Sequence, residues 1–377
     1  MHIERAIYKS IQEQCFKGKV VILLGARQVG KATLLKQLIK EFSVRSVWLN
    51  ADEADIKEAF ESAGTSTELL QLIGADTKLV ILDEAQQIKG IGRKLKLIYD
   101  TNPEIQLIAT GSSAFDLQNE MNEPLTGRKR EFHLYPISFG ELLGHSSIIE
   151  EKRLLETRMI YGSYPEVVND SGSEKTALLE IANSYLYKDI LQIDGIRKSA
   201  VLRKLLQALA LQVGSEVNFN ELSKTIGNIS SQTVERYLDL LEKTYVIYQL
   251  PALSRNMRSE LKKGKKYYFF DNGIRNVLIN NFNPLNLRND KGALWENYLL
   301  SERMKFLSYS NQPVNRYFWR TKDQAEIDYI EEAGGLLKAF ELKWTSQKAK
   351  FPRSFLENYP DHETSLISRE NYVGFVS

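Results

Sequence analysis

Residues 19–24 (KVVILL) form a β-branched apolar run that stops at Gly25, after which Leu34, Leu35, Leu38 and Ile39 recur at three- and four-residue intervals. That order predicts a strand, a loop and an amphipathic helix. Further short apolar runs, at Val47–Leu49, Leu79–Leu82 and Ile105–Ala109, are separated mostly by helix-length segments. Continuous apolar strands alternating with helices are what a parallel sheet covered on both faces requires. Residues 1–145 therefore read as one α/β domain.

From 146 to 195 the pattern is helical and is interrupted by Gly162-Ser163-Tyr164-Pro165, which should break a helix and suits a lid or connector. Residues 200–213, 218–226 and 230–244 read as short helices. They are followed by strand-like runs at Tyr245–Leu250 and Lys266–Phe270. Three helices and a β-hairpin predict a winged helix-turn-helix over 196–285. The last segment, 286–377, opens with a helix (LWENYLLSERMKFL) and continues in alternating strands parted by Gly334-Gly335, an α+β pattern.

A length of 377 residues predicts two or three domains. Hydrophobic residues at 43% and charged residues at 26% exclude a disordered or collagen-like chain. The 50 Lys+Arg against 48 Asp+Glu leave +2, so a nucleic acid must be met by a local patch rather than by the whole molecule. Cys15 stands alone, which excludes an intrachain disulfide and a cysteine zinc site, and His2, His133, His145 and His362 show no metal-ligand spacing. The start MHIERAIYKS lacks the apolar core of a signal peptide, and no apolar run approaches the ~18 residues of a membrane span. A cytoplasmic location with no membrane partner is the expectation.

Gly25-Ala26-Arg27-Gln28-Val29-Gly30-Lys31 fits GxxxxGK and sits between the predicted strand and helix. Glycines there let backbone amides close around a polyphosphate, the helix N-terminus adds its dipole, and Lys31 reaches the outer phosphates. The following residue, ordinarily a Ser or Thr that ligates Mg²⁺, is Ala32. Thr33 carries a hydroxyl, but one helical residue is a rotation of about 100°, which turns it away. Nucleotide binding is expected to survive while Mg²⁺-dependent turnover is impaired; Ala32 is either a natural divergence or an engineered change. Leu79–Leu82 runs into Asp83 and Glu84, the form of a Walker B strand, with Asp83 for the metal and Glu84 for the attacking water. Thr110 and Ser112, at the end of the Ile108–Ser113 segment, are candidates for a γ-phosphate sensor or for hydroxyls that satisfy a turn.

GARQVGKATLLKQL, LVILDEAQQI, IATGSSAFDL, LTGRKREFHLYPISFGELL and YGSYPEVV, in this order, resemble the prokaryotic AAA-type ATPases that carry a C-terminal nuclease-like domain of unassigned function. The resemblance covers nearly the whole chain. It implies ATP and ADP as ligands, Mg²⁺ as cofactor, and Arg128 as a candidate arginine finger acting on a neighbouring copy, against the alternative of a solvated basic loop.

In the expected winged helix, Ser230–Tyr237 opens the third helix and exposes Gln232, Thr233 and Arg236 for phosphates or base edges, while Val234, Leu238 and Leu241 face the core. The stretch 255–266 carries six basic residues, Arg255, Arg258, Lys262, Lys263, Lys265 and Lys266, where a wing would meet a phosphate backbone. Winged helices also dock proteins, so DNA and a protein partner both stay open. Farther on, Ala325–Ile330 and Leu337–Trp344 read as two strands, with Glu341 and Lys343 on one face beside Asp328. This resembles the PD-(D/E)XK nucleases. The resemblance implies Asp328 and Glu341 as metal ligands, Lys343 beside the water or scissile phosphate, and Glu296 completing the site. The leading expectation is an ATP-driven switch; the alternatives are a non-hydrolysing interaction module and a nucleotide-gated nuclease.

Overall fold

A computed structural model describes residues 3–112, 121, 124–183, 199–253, 264–321, 323–345 and 348–377. His2, Ser113, the end of the expected lid and wing residues 254–263 lie outside the described residues. The chain forms two compact units, residues up to 136 with 243–245, and residues 137–242 with 246–377. The boundary falls before the helix at 139–145 that the hydrophobic pattern assigned to the first domain. The described helices after 138, the three-stranded sheet and the C-terminal four-stranded sheet occur within one compact unit.

In the first unit, α1 (Tyr8–Gln14), α2 (Lys31–Glu41), α3 (Ala54–Ser62), α4 (Ser66–Ile73) and α5 (Ile91–Thr101) accompany a five-stranded parallel sheet. Its strands are β1 (Val20–Leu24), β2 (Ser46–Asn50), β3 (Leu79–Asp83), β4 (Gln106–Gly111) and β5 (Lys129–His133), in the order β2-β3-β4-β1-β5. Every residue of β1 is buried, which requires cover on both faces of the sheet and explains the unbroken apolar run. In α2, Leu34, Leu35 and Leu38 form the buried stripe. β5 is an edge strand of partly exposed KREFH, too polar to be recognised from its pattern.

The second unit begins with α6 (Phe139–His145), α7 (Ile148–Tyr161), α8 (Pro165–Asn169) and α9 (Glu174–Ile181). Gly162 ends α7 at φ 76°, and Pro165 opens α8 where a missing N–H costs nothing. Next come α10 (Ser199–Leu211), β6 (Glu216–Val217), α11 (Phe219–Ile226), α12 (Ser231–Lys243), β7 (Ile247–Pro251) and β8 (Lys265–Phe269). The strands pair antiparallel in the order β6-β8-β7. α13 (Asn272–Leu278) and the long α14 (Lys291–Tyr309) lead into β9 (Asn315–Arg320), β10 (Glu326–Ala333), β11 (Leu336–Leu342), α15 (Arg353–Asn358) and β12 (His362–Ile367).

This last sheet has the order β12-β11-β10-β9, with β11 and β12 parallel and the other pairs antiparallel. Gly334 and Gly335, at φ 59° and 86°, form the two-residue β10–β11 turn that needs positive φ at both positions. Trp319, Ile327, Ile330, Leu337, Ala339 and Phe355 build its core. α14 is fastened to β8 by buried Asn297, whose side chain accepts from Phe269 N–H at 2.7 Å and donates to Phe269 C=O at 3.1 Å, as a neighbouring strand would. Among the described residues no helix is long and apolar enough to cross a membrane.

Candidate functional site

β1 delivers the chain into the loop at Gly25, where a Cβ would stand 2.1 Å from the Leu134 carbonyl oxygen, so no other residue fits. Gln28 and Gly30 both have positive φ, 62° and 98°, and α2 starts at Lys31. The Lys31 side chain is buried, and its ammonium donates to the carbonyls of Gly25 at 2.9 Å and Ala26 at 3.1 Å. Ala26 and Val29 are buried and Arg27 is half-buried. Ala32 offers no oxygen, and Thr33 is exposed on the far side of the first turn, as the helical rotation requires.

Parallel strands bring the other groups alongside. Thr110, at the end of β4, is fully buried; its hydroxyl accepts from Glu84 N–H at 3.0 Å and donates to Asp83 Oδ1. That hydroxyl is occupied in joining the two acids rather than exposed to a ligand. Glu84 holds φ 52° and ψ 41°, a left-handed conformation uncommon outside glycine and often kept at functional sites. Its carboxylate accepts from Gln86 Nε2 at 2.6 Å and Ser112 Oγ at 3.0 Å, with Lys31 Nζ 3.9 Å and Arg27 Nη2 3.8 Å away. Burial pushes the Glu84 carboxyl upward, but Lys31, Arg27 and the two hydrogen bonds outweigh it and hold the group below its ordinary range. Asp52, just beyond β2, is raised by burial and by the charge of Glu84.

Gln86 was missed in the sequence, although it stands two residues after Glu84 in LDEAQQ. Arg128 does not join this site: it precedes β5, its carbonyl accepts from Val20 N–H at the start of β1, and the loop leaves β1 at the opposite end. The Arg128 side chain is exposed and pairs with Asp100 at 3.0 Å.

Residues 17–143 match a family model described as an AAA domain. The N-terminal part is an AAA-type P-loop domain. Residues 152–285 and 291–373 match two further models, each described as a domain of unknown function. The chain is 27% identical over 374 residues to an uncharacterized protein of Haemophilus influenzae, covering 94% of this chain and 87% of that one. It is 28% identical over 339 residues to an uncharacterized protein of Mycobacterium tuberculosis, covering 88% and 71%. Among solved structures, a Walker-type ATPase of Pyrococcus abyssi superposes with a TM-score of 0.51 at 18% identity, covering 74% of this chain and 96% of that one. That likeness is one of fold.

Hard carboxylate oxygens such as those of Asp83 suit Mg²⁺, which proteins usually hold through one or two carboxylates together with substrate phosphates. Among the described residues no three His, Cys, Asp or Glu side chains converge in metal-holding geometry. Beside the AAA-type P-loop domain, this donor set fits a metal carried in with phosphate rather than a preformed cage.

In the second unit Glu296, Asp328, Glu341 and Lys343 do come together. Lys343 Nζ lies 2.9 Å from Asp328 Oδ2 and 2.8 Å from Glu341 Oε2, and Leu342 N–H donates to Asp328 at 2.8 Å. Glu296, on α14, accepts from the Tyr268 hydroxyl at 2.6 Å and faces the Lys266 ammonium at 3.5 Å. Burial first, then the Asp328 charge, pushes Glu341 up to about 7. Burial also raises Glu296. Lys266 corrects the expected wing: it is buried, pairs with Glu326 as well as Glu296, and lies 5.2 Å from the Phe318 ring centre. Period-two alternation in KKYYF, which puts Lys266 and Tyr268 on one face, was the available signal.

Proposed function

We propose that this chain is an ATP-binding, AAA-type ATPase working as a nucleotide-driven switch. The observation that carries this reading is the approach of a P-loop ammonium, Lys31, to within 3.9 Å of a carboxylate at a β-strand end, Glu84. On nucleotide entry Lys31 exchanges two loop carbonyls for phosphate oxygens, and the loop amides and the α2 N-terminus take the remainder of the phosphate charge. Glu84, released from Gln86 and Ser112, accepts a proton from the attacking water, and Thr110 keeps both acids in register. Mg²⁺, held by Asp83 and the phosphates, would supply charge neutralisation when bound. The two nucleotide states act as a switch only if they bind different conformations with different affinity.

Ala32 removes one metal ligand. Outer-shell partners alone are worth about 10–100-fold in metal affinity or activity, so Ala32→Thr should raise Mg²⁺-dependent ATP turnover by at least about ten-fold. Turnover in neither chain, with ATP binding intact in both, would instead support a non-hydrolysing interaction module. Arg128 is proposed to act on a neighbouring copy, in which case Arg128→Ala lowers turnover only at concentrations where the chain self-associates.

The order β6-β8-β7 with three helices supports a winged-helix reading of 199–269. Gln232 and Arg236 are exposed, as a DNA-contacting helix needs. Among the described residues, the groove of about 420 Å³ beside them also presents Glu235, Asp239 and Glu242 against Arg236 and Lys265, one acid more than bases. This observation favours a protein partner over DNA on that face. Salt-dependent binding to duplex DNA that Arg236→Ala weakens would reverse the preference.

For the C-terminal sheet, residue types and placement support a nuclease-like ancestry. Lys343 stands between Asp328 and Glu341, its ammonium paired with both carboxylates. Incubating DNA and RNA with Mn²⁺ or Mg²⁺, with Lys343→Ala as control, tests cleavage directly.

A further inference from the structure

Arg5 precedes α1 in a segment anchored by buried Ile3, Ile7 and Tyr8. Its guanidinium donates through Nη1 to the Val29 carbonyl and through Nη2 to the Tyr135 carbonyl, each at 2.6 Å. Val29 lies inside the P-loop, and Tyr135 follows Leu134, whose carbonyl presses on Gly25 at the loop's other end. The segment 134–135 thus braces the loop twice, directly at Gly25 and through Arg5 at Val29.

Resting on the nucleotide reading above, we propose that Arg5 is a positioning residue for the phosphate grip: by holding the Val29 carbonyl it orients the Gly30 amide. The Val29–Gly30 peptide is planar and trans, so its C=O and N–H point in opposite directions. A carbonyl held outward on Arg5 turns the amide to the loop's other side, where a P-loop binds phosphate. Gly30, at φ 98°, cannot make this choice itself, because glycine populates both signs of φ with similar ease and the peptide can flip. An external clamp selects one orientation. The guanidinium fork suits the task, with two donors at fixed separation meeting two carbonyls from different segments.

The test is ATP binding by calorimetry on the full chain, with thermal melting alongside. Losing one oriented amide–phosphate hydrogen bond should weaken ATP binding by Arg5→Ala about ten-fold. Low-millimolar guanidinium should restore much of it without altering the unsubstituted chain. Arg5→Lys, whose single ammonium cannot span both carbonyls, should fall between, and it decides the matter if the alanine variant fails to fold. If the unsubstituted chain binds ATP and Arg5→Ala stays within about two-fold, or guanidinium rescues nothing, or Arg5→Lys matches the original, the positioning role is overturned and the nucleotide site stands. If the unsubstituted chain binds no ATP, the nucleotide reading falls and this proposal with it.

Discussion

Thr110 shows how much one hydroxyl can organise. Fully buried, it accepts from the Glu84 amide and donates to the Asp83 carboxylate, joining the two acids at the end of β3. Thr110→Val keeps the shape and removes both bonds, leaving a buried amide and a carboxylate short of a partner. Such losses cost about 1–3 kcal/mol. Urea unfolding should register that cost, and ATP turnover should fall further than ATP affinity, since the left-handed Glu84 loses its tether; unchanged turnover would deny Thr110 its positioning role. At this scale GxxxxGK and LDE were legible because each residue type is tied to its task. The contacts that Gln86 and Arg5 make with residues far along the chain were not, since a hydrogen bond between distant segments leaves no periodic trace.

Among the elements, the apolar runs at 20–24, 79–82 and 106–109 became central strands, because burial on both faces leaves no room for polar positions. β5, β9 and β12 escaped notice, for edge and half-exposed strands are specified by the neighbour they pair with. The Gly162 break was visible, but its purpose was not. A Cβ there would lie 1.9 Å from Asp271 Oδ1, and that carboxylate caps α13 through Gly273 and Ile274 while accepting from Ser163 N–H at 2.8 Å. Gly162→Ala must therefore displace the cap as well as strain φ 76°. We expect a loss of about 2–4 kcal/mol, measured as a lowered urea midpoint with unchanged slope. A variant as stable as the original would mean that α7 and α13 can separate freely.

For the whole molecule, carboxylates buried in the second unit make stability pH-dependent in an unusual direction. Glu341 is held at about 7 against an ordinary 4.5, so between those values the folded chain binds more protons than the unfolded one. Stability from this group is full below about 4.5 and is lost as pH rises through about 7. Glu341→Gln should therefore raise the melting temperature at pH 8 relative to the original chain and gain little at pH 5. An equal shift at both pH values would show that Glu341 does not titrate in this range.

By itself the sequence determined the α/β class, the GxxxxGK loop between β1 and α2, the acids at the end of β3 and the hairpin at Gly334-Gly335. Each rests on local periodicity or on a residue that only one backbone shape accepts. Tertiary structure alone decided where side chains distant in sequence meet. It buried Lys266 against Glu296, paired Arg128 with Asp100 and carried Arg5 to Val29. Those outcomes depend on strand order and on the path between segments, which no local pattern of polar and apolar residues encodes.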